Sequence, residues 1–323
     1  MELNGLHHVT AVSGNAPQNV EFYTGVLGMR LVKKTVNQDD VSAYHLFYGD
    51  EAGNPGTELT FFDWPNLGPN RNGPGSIANL ALRVPSRDTL NWWAERLTAH
   101  GIEHSGVTEF HGHTLLNLTD PEGQHLSLVD DGGAPGGIPW AKSPVPLEYG
   151  IRGLFAATLI VRDLAPTAFV LTEIMGYRQV TEYTTGENER TVVFAVGEEG
   201  AGREIYVIEQ PTQPYGQLGI GGVHHIAFRT PNGEEQQEWM RHIESYGLGT
   251  SGLVDRFYFQ SLYFRIPGGI LFEIATDGPG FATDENPAHL GEKLALPPFL
   301  EPHRAQIEAG LKPIEPRRKI ETG

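Results

Sequence analysis

The sequence predicts an α+β fold of four βαβββ modules, paired into two domains of curved sheet. Three observations lead to this prediction. A strand, a helix that ends near a glycine and a further set of short strands recur four times along the 323 residues. The 40 glycines and 23 prolines indicate many turns and short strands rather than long helices. Residues 132–150, which are rich in glycine and proline, separate the first two modules from the last two.

The first two modules occupy residues 5–64 and 75–131. In each, a helix is predicted between the first strand and the others, beginning near Asn15 in module one and at Ser86 in module two. Each helix is followed by a glycine, which suits the residue just beyond a helix end. The predicted strands are LHHVTAV, MRLVKKTV, SAYHLFYGD and TELTFFDW in module one, and IANLALRV, FHGHTLLNLTD and QHLSLVDD in module two.

The last two modules occupy residues 152–210 and 221–277 and follow the same order. Asp163 is predicted to cap the helix of module three. Asn232 stands three residues before Glu235, the spacing of a capping box, at the start of the helix of module four. The predicted strands are LFAATLIVR, YRQVTEY, RTVVFAVG and REIYVIEQ in module three, and VHHIAFRT followed by the run VDRFYFQSLYFRIPGGILFEIA in module four.

A βαβββ module cannot cover its own sheet face, so two modules are expected to pair around a shared cavity. We predict one domain of two modules at residues 1–131 and a second domain of two modules at residues 151–277, joined by the linker 132–150. Residues 278–323 are predicted to form a C-terminal arm with a short helix that starts after Pro302.

Composition excludes several classes of protein. The chain has no cysteine, so it forms no disulfide and offers no thiolate to a metal or a substrate. The net charge of −17 argues against nucleic-acid binding, which depends on basic patches. No run of about 18 apolar residues is present to span a membrane, and the N-terminus MELNGLHHVT lacks the features of a secretory signal. We expect a soluble cytoplasmic protein without nucleic-acid or membrane partners.

Two His-His pairs and one glutamate stand out as candidate metal ligands. His225 follows His224 at the start of a strand, and Glu273 lies in a second strand, 48 residues later (273 − 225). GLHHVT near the N-terminus repeats the His-His pattern and contributes His8. A single buried histidine is more often a core residue than a ligand. However, a buried carboxylate without a partner is costly, and the His-His pattern occurs twice.

Alignment of the four modules gives eight equivalent positions. They are occupied by His8, Asn79, Ala156 and His225 in the first strands, and by Thr60, Ser127, Tyr206 and Glu273 in the last strands. Only His8, His225 and Glu273 carry side chains that are usual metal ligands. If module one pairs with module four, these three side chains meet in one cavity beside Thr60. The other cavity is then expected to be free of metal.

Two histidines and one carboxylate form a recognised class of metal site. Three protein ligands leave open positions on an octahedral metal, so that O2 and an anionic substrate can bind side by side, which is typical of non-haem Fe(II) oxygenases. A fourth protein ligand would remove one open position and favour Lewis-acid isomerisation. Threonine is a poor ligand beside histidine and carboxylate, so the residue at the fourth place favours the oxygenase.

The hairpin around residues 267–269 adds a candidate proton donor. A three-residue loop places Tyr263 opposite Glu273, whereas a two-residue loop would place Phe264 there. Arg256 lies one strand earlier and is a candidate to neutralise an anionic oxygen, with a surface ion pair as the equally weighted alternative.

The chain resembles the vicinal oxygen chelate superfamily, which contains glyoxalases, bleomycin-resistance proteins and extradiol dioxygenases. Within it, the chain is similar to the ring-cleaving hydroquinone dioxygenases over essentially its whole length. The segments that carry the resemblance are GLHHVT, HLFYGD, GVHHIAFR, DRFYFQSLYFR, GILFEIATDGPGF and LPPFLEPHR. The resemblance implies the vicinal oxygen chelate fold of paired βαβββ modules.

The resemblance also implies roles for particular residues. It implies that His8, His225 and Glu273 bind Fe(II), with Mn(II) as an alternative metal. It further implies a set of residues that position the substrate or move protons: Tyr263, Arg256, His224, Thr10 and His7. Strand alternation turns His7 and His224 away from the metal if their strands are regular, so they rank below Tyr263 and Arg256.

We therefore expect a non-haem Fe(II), extradiol-type ring-cleaving dioxygenase that opens a hydroquinone, substituted or not, with O2. Two alternatives remain open at this point: a metal-dependent isomerase or lyase of the glyoxalase type, and a non-catalytic module that binds a small molecule. The three intact ligands argue against the second alternative. Catechol remains open as the substrate, and a homo-oligomer remains open as the assembly state.

Overall fold

The computed structural model of the protein describes residues 1–185 and 189–314, which contain sixteen strands and five α-helices. Module one consists of β1 (Leu6–Ser13), α1 (Ala16–Val20), β2 (Arg30–Asn37), β3 (Asp40–Gly49) and β4 (Glu58–Asp63). Module two consists of β5 (Ser76–Val84), α2 (Arg87–Ala99), β6 (His104–Phe110), β7 (His113–Thr119) and β8 (His125–Asp130). Module three consists of β9 (Leu154–Val161), α3 (Leu164–Phe169), β10 (Arg178–Thr185), β11 (Glu189–Ala195) and β12 (Glu204–Glu209). Module four consists of β13 (Val223–Thr230), α4 (Gly233–Ser245), β14 (Thr250–Asp255), β15 (Phe259–Arg265) and β16 (Leu271–Pro279), and α5 (Arg304–Gly310) follows.

The strands form two eight-stranded sheets, and the predicted fold of four paired βαβββ modules is confirmed. One sheet has the order β14-β15-β16-β13-β1-β4-β3-β2, and the other has the order β10-β11-β12-β9-β5-β8-β7-β6. The sheets therefore join module one to module four and module two to module three. Each sheet takes one module from either side of the linker 132–150, so the pairing of modules does not follow the predicted division into residues 1–131 and 151–277.

The first strands of the modules lie at the centre of each sheet, and their pairing explains why each sheet joins modules from both sides of the linker. β1 pairs antiparallel with β13, and β5 pairs antiparallel with β9. Every residue of β1 is buried. A strand that is buried along its whole length needs neighbours on both edges, and its own module covers only one edge. A first strand of another module covers the second edge, but apolar patterning does not say which module supplies it.

The helices begin and end mostly where the sequence predicts. The side chains of Ser86, Asp163 and Asn232 each accept a hydrogen bond from a backbone N–H in the first turn of α2, α3 and α4. Asn15 makes no such contact at α1. Instead, the carboxylate of Asp63 accepts the hydrogen bond from the Ala16 backbone N–H at 3.2 Å. α1 and α3 continue as π-helical turns over Glu21–Val26 and Val170–Ile174.

Module two contains one strand that the sequence reading missed. β6 carries no apolar alternation, and most of its side chains are partly or fully exposed because it is the edge strand of its sheet. An edge strand faces solvent along its free side, so its composition resembles that of a loop. The order of elements in module two is nevertheless the predicted βαβββ.

The C-terminal arm packs on module one. The backbone N–H of Ala295 donates to the Lys34 carbonyl at 2.9 Å, and the buried ammonium of Lys33 lies 2.7 Å from a carboxylate oxygen of Asp284. Ile307 and Leu311 are buried, so the short helix α5 docks on the outside of the fold as predicted. The predicted arm extends to residue 323, and residues 315–323 lie outside the described part of the chain. In the described ranges, no helix is long and apolar enough to cross a membrane.

Candidate metal centre

Strand register brings His8, His225 and Glu273 together. His8 pairs with Ala227 across the β1–β13 junction, and Ala227 pairs with Glu273 on the parallel strand β16. The Nε2 atoms of His8 and His225 lie 3.3 Å and 2.9 Å from Oε2 of Glu273. All three side chains are buried. One ligand atom from each residue therefore lies within 4.8 Å of the others, at the centre of the sheet that joins modules one and four.

The register also confirms the alignment of the four modules. In each module, the residue two places after the aligned first-strand position pairs with the aligned residue of the last strand. These pairs are Thr10 with Thr60, Ala81 with Ser127, Thr158 with Tyr206, and Ala227 with Glu273. Thr60 therefore occupies the position in module one that Glu273 occupies in module four.

The polar atoms of the cluster are buried and face one another. Nε2 of His225 and both carboxylate oxygens of Glu273 are inaccessible to solvent and have no hydrogen-bond partner outside the cluster. Burial raises the pKa of Glu273, but His8 and His225 outweigh burial and hold this pKa well below its usual range. Burial lowers the pKa of His225 and favours its neutral form. A divalent cation would take the place of the imidazole protons that face the carboxylate, and would satisfy all three side chains.

His7 fixes the proton of its neighbour. Nε2 of His7 lies 3.1 Å from the carbonyl oxygen of Thr276 and must donate to it, because a carbonyl only accepts. Burial lowers the pKa of His7 to about 3, so its Nδ1 carries a lone pair. Nδ1 of His8 lies 3.0 Å away and donates to this lone pair. Nε2 of His8 is then left without a proton and can bind a metal.

His224 stands in the same relation to His225. Their Nδ1 atoms lie 2.7 Å apart, so one of them donates to the other. Burial lowers the pKa of His224 to about 3, and the ring is therefore neutral. When Nδ1 of His225 donates, Nε2 of His225 faces Glu273 with its lone pair. Nε2 of His225 and Oε2 of Glu273 lie 2.9 Å apart, so both atoms could bind the same metal ion.

A second group of potential ligands fits a metal less well. His7 and Glu58 lie 3.8 Å apart, and His8 completes the group. Burial raises the pKa of Glu58 well above its usual range, so its carboxyl group is held in the neutral, protonated form. The Nδ1 atoms of both histidines are also occupied by their mutual hydrogen bond. We therefore assign the candidate metal centre to His8, His225 and Glu273.

A small cavity of about 30 Å³ opens beside His8 and His225. Arg256 and Tyr263 line it, whereas His7, Thr10 and His224 do not. His7 and His224 lie behind the metal-ligand candidates, as strand alternation predicts. The hydroxyl of Thr10 lies 2.8 Å from that of Thr60 and is buried within the sheet.

Tyr263 lies where the three-residue loop of the hairpin predicts. Ile266 donates its backbone N–H to the Ile270 carbonyl, and Tyr263 pairs with Glu273. Burial, aided by the charge of Glu273, raises the pKa of Tyr263, so its phenol is protonated. The centre of its ring lies 5.6 Å from that of His225. Tyr263 thus presents a hydroxyl proton beside the candidate metal centre.

Arg256 both lines the cavity and forms an ion pair at the surface. Its guanidinium carbon lies 5.5 Å from the centre of the Tyr263 ring, and its side chain lines the cavity. One of its nitrogens also lies 2.8 Å from a carboxylate oxygen of Asp39, whose side chain is 72% exposed. Asp39 belongs to the turn between β2 and β3, so an exposed turn holds the cation of the cavity.

His45 is a cavity residue that the sequence reading treated as structural. Its ring is half-buried and packs between Phe47 and Phe62, with ring centres 4.0 Å and 4.4 Å away. Its Nε2 lies 3.1 Å from the hydroxyl of Thr60, and burial lowers its pKa well below the usual range. The sequence feature that could have identified His45 is the alternation of side chains along β3, which puts His45 on the same face as Phe47 of the cavity wall.

Comparisons with known proteins show the family of the chain. A family model described as the Glyoxalase/Bleomycin resistance protein/Dioxygenase superfamily matches residues 5–128 and 153–274. A protein of Bacillus subtilis (strain 168) named "Putative ring-cleaving dioxygenase MhqA" is 47% identical over 316 residues, which cover 98% of this chain and 100% of the relative. A Sphingobium indicum protein named chlorohydroquinone/hydroquinone 1,2-dioxygenase is 33% identical over 93% of each chain.

Solved structures share the fold. The crystal structure of a "putative dioxygenase" from Bacillus subtilis has a TM-score of 0.90 and 40% identity, and the match covers 98% of this chain and 99% of that chain. Glyoxalase I from Zea mays has a TM-score of 0.62 at 14% identity, with 84% of this chain and 92% of that chain covered. At that identity, the likeness to glyoxalase I concerns the fold alone.

Proposed function

Because the chain belongs to the glyoxalase/bleomycin resistance protein/dioxygenase superfamily, we propose that it is an Fe(II)-dependent dioxygenase that opens a hydroquinone ring with O2. The observation that carries the proposal is the buried cluster of His8, His225 and Glu273, in which the two Nε2 atoms lie 3.3 Å and 2.9 Å from one carboxylate oxygen. Relatives named as ring-cleaving dioxygenases and as a hydroquinone 1,2-dioxygenase support the reaction class and the substrate. Mn(II) is the alternative metal, since it accepts the same ligands.

The donor set fits a catalytic metal with open positions. Two imidazoles and one carboxylate are the protein ligands of non-haem Fe(II) oxygenases, and such a metal supplies the electron transfer by which O2 reacts with an aromatic ring. Thr60 occupies the position in module one that is equivalent to Glu273, and its hydroxyl is hydrogen-bonded to the side chains of Thr10 and His45. This arrangement supports an oxygenase over a glyoxalase-type isomerase, which would use a fourth ligand at that place.

Residues of the cavity wall would handle the charge and protons of the substrate. Arg256 would pair with the anionic oxygen of a deprotonated hydroquinone, because it is the cation that lines the cavity in the described structure. The protonated hydroxyl of Tyr263 would donate a hydrogen bond to oxygen at the reacting carbon. Cleavage would fall between the hydroxylated carbon and its neighbour, which is the extradiol-type outcome.

The cavity beside His8 and His225 is too small for the proposed substrate, so part of its wall would have to move. A volume of about 30 Å³ holds about one water molecule and cannot hold an aromatic ring. The exposed turn that carries Asp39 closes one side through its ion pair with Arg256, and Gln38 donates a hydrogen bond to the Arg256 carbonyl at 2.8 Å. We propose that this turn moves outward when the substrate enters, and that the anionic oxygen of the substrate replaces Asp39 on Arg256.

His7, His224 and Thr10 would act through the ligands rather than on the substrate. The first two would keep the ring protons of His8 and His225 on Nδ1, so that each Nε2 can bind metal. Thr10 would hold the hydroxyl of Thr60 away from the metal. The small aromatic substrate, O2 and the cytoplasmic location predicted from the sequence belong to the same proposal, and cell fractionation tests the location.

Replacement of the three ligand candidates tests the site. We expect His8→Ala, His225→Ala and Glu273→Ala to lose bound iron, and to lose formation of a hydroquinone product that contains two added oxygen atoms. His289→Ala is a matched control, because the His289 side chain is 63% exposed and lies on the C-terminal arm. Normal iron content and normal product formation in any of the three variants would contradict the assignment.

A further inference from the structure

The second sheet, which joins modules two and three, encloses a larger cavity of about 190 Å³. We propose that this cavity is a metal-free binding site for one uncharged, hydroxylated aromatic ring. An engineered apolar cavity of about 150 Å³ binds benzene, so the volume fits a single six-membered ring with a small substituent. The inference uses only the walls of this cavity and does not depend on the proposed function.

The cavity occupies the place equivalent to the candidate metal centre but lacks its ligands. The four aligned positions carry Asn79, Ser127, Ala156 and Tyr206, and all four side chains line the cavity. Among the residues that the structure describes, both groups of three potential metal ligands lie in the other sheet. A ligand of this cavity must therefore be held by hydrogen bonds and apolar contacts alone.

One wall offers hydrogen bonds to a hydroxyl group. Asn79 donates through its amide nitrogen to the Ser127 hydroxyl at 3.0 Å, and Ser127 donates to the Asn117 amide oxygen at 2.6 Å. This chain of bonds leaves the amide oxygen of Asn79 and the amide nitrogen of Asn117 as the outer groups. The amide oxygen of Asn79 can accept the proton of a ligand hydroxyl, and the amide nitrogen of Asn117 can donate to the oxygen of that hydroxyl.

The remaining walls suit an aromatic ring. They are mainly apolar and include Ala81, Leu115, Val129 and Phe155. Phe110 lines the cavity at the β6–β7 turn, and its side chain is 42% exposed. The ring of His111 in the same turn stacks on that of Tyr183 with centres 3.5 Å apart. Phe110 also contacts Tyr183 edge to face, and Phe155, His113 and Tyr206 add further aromatic rings to the cavity wall, which favours a planar ligand.

The charge around the cavity selects an uncharged ligand. The described residues that line it include no lysine and no arginine. The carboxylate of Glu204, which is buried, accepts a hydrogen bond from the Tyr206 hydroxyl of the cavity wall at 2.9 Å. The same hydroxyl lies 3.2 Å from Nε2 of His113. An anionic ring in this cavity would lie near the Glu204 carboxylate with no lysine or arginine of the cavity wall to balance its charge. The cavity beside His8 and His225, in contrast, contains the cation Arg256.

Fluorine NMR with 4-fluorophenol, which is uncharged at neutral pH, tests the proposal on the full chain under anaerobic conditions. We expect saturable binding of one molecule per chain that persists in Glu273→Ala. We expect binding to weaken at least tenfold in Ala156→Phe, where the added ring would fill the cavity. Metal content of Ala156→Phe should match that of the wild type, which shows that the other sheet is intact.

Two results would overturn the proposal. One is undiminished binding of 4-fluorophenol to Ala156→Phe. The other is binding of the anionic 4-fluorobenzoate with an affinity equal to that of 4-fluorophenol in a protein that carries both Glu273→Ala and Arg256→Met, in which the cation of the other cavity is removed. If Ala156→Phe does not fold, Ala81→Leu reduces the same cavity from the opposite module and gives the same comparison.

Discussion

At the scale of single residues, each pair of adjacent histidines supplies two different contacts at the candidate metal centre. His8 and His225 point Nε2 at Glu273, while His7 and His224 contact their Nδ1 atoms from behind. A strand sends neighbouring side chains to opposite faces, so a His-His pair can supply one ligand and one group that fixes the proton of that ligand. The repeated pattern in the sequence therefore has one physical purpose at both ends of the chain.

Replacement of His224 tests this division. We expect His224→Ala to lower the affinity for Fe(II) by about 10-fold to 100-fold, because the Nδ1 proton of His225 loses its acceptor. His224→Asn should recover part of the affinity, since its side-chain amide can accept the same proton. Fe(II) titration of each variant measures the effect. Equal affinity in His224→Ala and the wild type would show that the contact at 2.7 Å does not orient the ligand.

Replacement of Asp39 tests whether the turn competes with the substrate for Arg256. We expect Asp39→Asn to tighten binding of an anionic phenol a few-fold, because an exposed ion pair contributes no more than about 1 kcal/mol. The protein's stability should change little for the same reason. Arg256→Met is the matched control and should weaken binding. An unchanged or weaker affinity in Asp39→Asn would argue that Arg256 does not receive the anionic oxygen.

Much of the candidate site could be predicted at this scale, and the exceptions have physical causes. His8, His225 and Glu273 could be found because a metal-ligand side chain stands out in a strand that is otherwise apolar. His45 was not found, because its face of β3 depends on the register with β4 and on a cavity that only the folded sheet creates. Arg256 could not be assigned, because its partner Asp39 lies 217 residues away in the sequence.

At the scale of elements, the loop between β15 and β16 decides which side chain faces the metal centre. Gly268 and Gly269 have φ angles of +95° and +92°, which favour glycine. The sequence allowed either a two-residue or a three-residue loop, and the observed register selects the three-residue form. Turn length was therefore enough to place Tyr263, because side chains alternate strictly along a strand.

The start of α1 gives a prediction of pH dependence. Burial raises the pKa of Asp63 to about 6, although its carboxylate accepts the Ala16 backbone N–H. The unfolded chain has a lower pKa here, so the folded state binds more protons between about pH 4 and about pH 6, and stability falls as pH rises through this range. Asp63→Asn keeps an acceptor and removes the charge.

We therefore expect Asp63→Asn to gain stability relative to the wild type as pH rises from about 4.5 to about 7.5, by roughly 1 to 3 kcal/mol, because each unit of pKa difference between the folded and unfolded states corresponds to about 1.4 kcal/mol. Urea denaturation at both pH values measures this difference. Asp88→Asn, on the exposed first turn of α2, is the control and should show no such trend. A constant difference across the pH range would contradict the assignment to Asp63.

At the scale of the whole molecule, the two halves of the chain are interleaved. Both sheets contain one module from each side of the linker, so neither half contains a complete sheet. The repeat predicted four modules and their order, because periodicity and glycine positions are local properties. The choice of partner was left open, because each first strand is apolar enough to pair with any other.

Separate expression of residues 1–141 and 142–323 tests this interleaving. The second fragment carries His225 and Glu273 but lacks His8, and we expect neither fragment alone to retain Fe(II). Co-expression should give a complex with one metal per pair of fragments, since each sheet is then complete. Tight Fe(II) binding by residues 142–323 alone would contradict the assignment of His8.

The central claim is that the cluster of His8, His225 and Glu273 supports ring cleavage by O2. The most direct measurement is O2 consumption by anaerobically Fe(II)-loaded protein when hydroquinone is added, with the product analysed in parallel. We predict one O2 consumed for each ring opened in the wild type, and none in Glu273→Ala. No O2 uptake and no loss of hydroquinone or catechol, despite about one bound metal per chain, would contradict the claim and favour a glyoxalase-type isomerase.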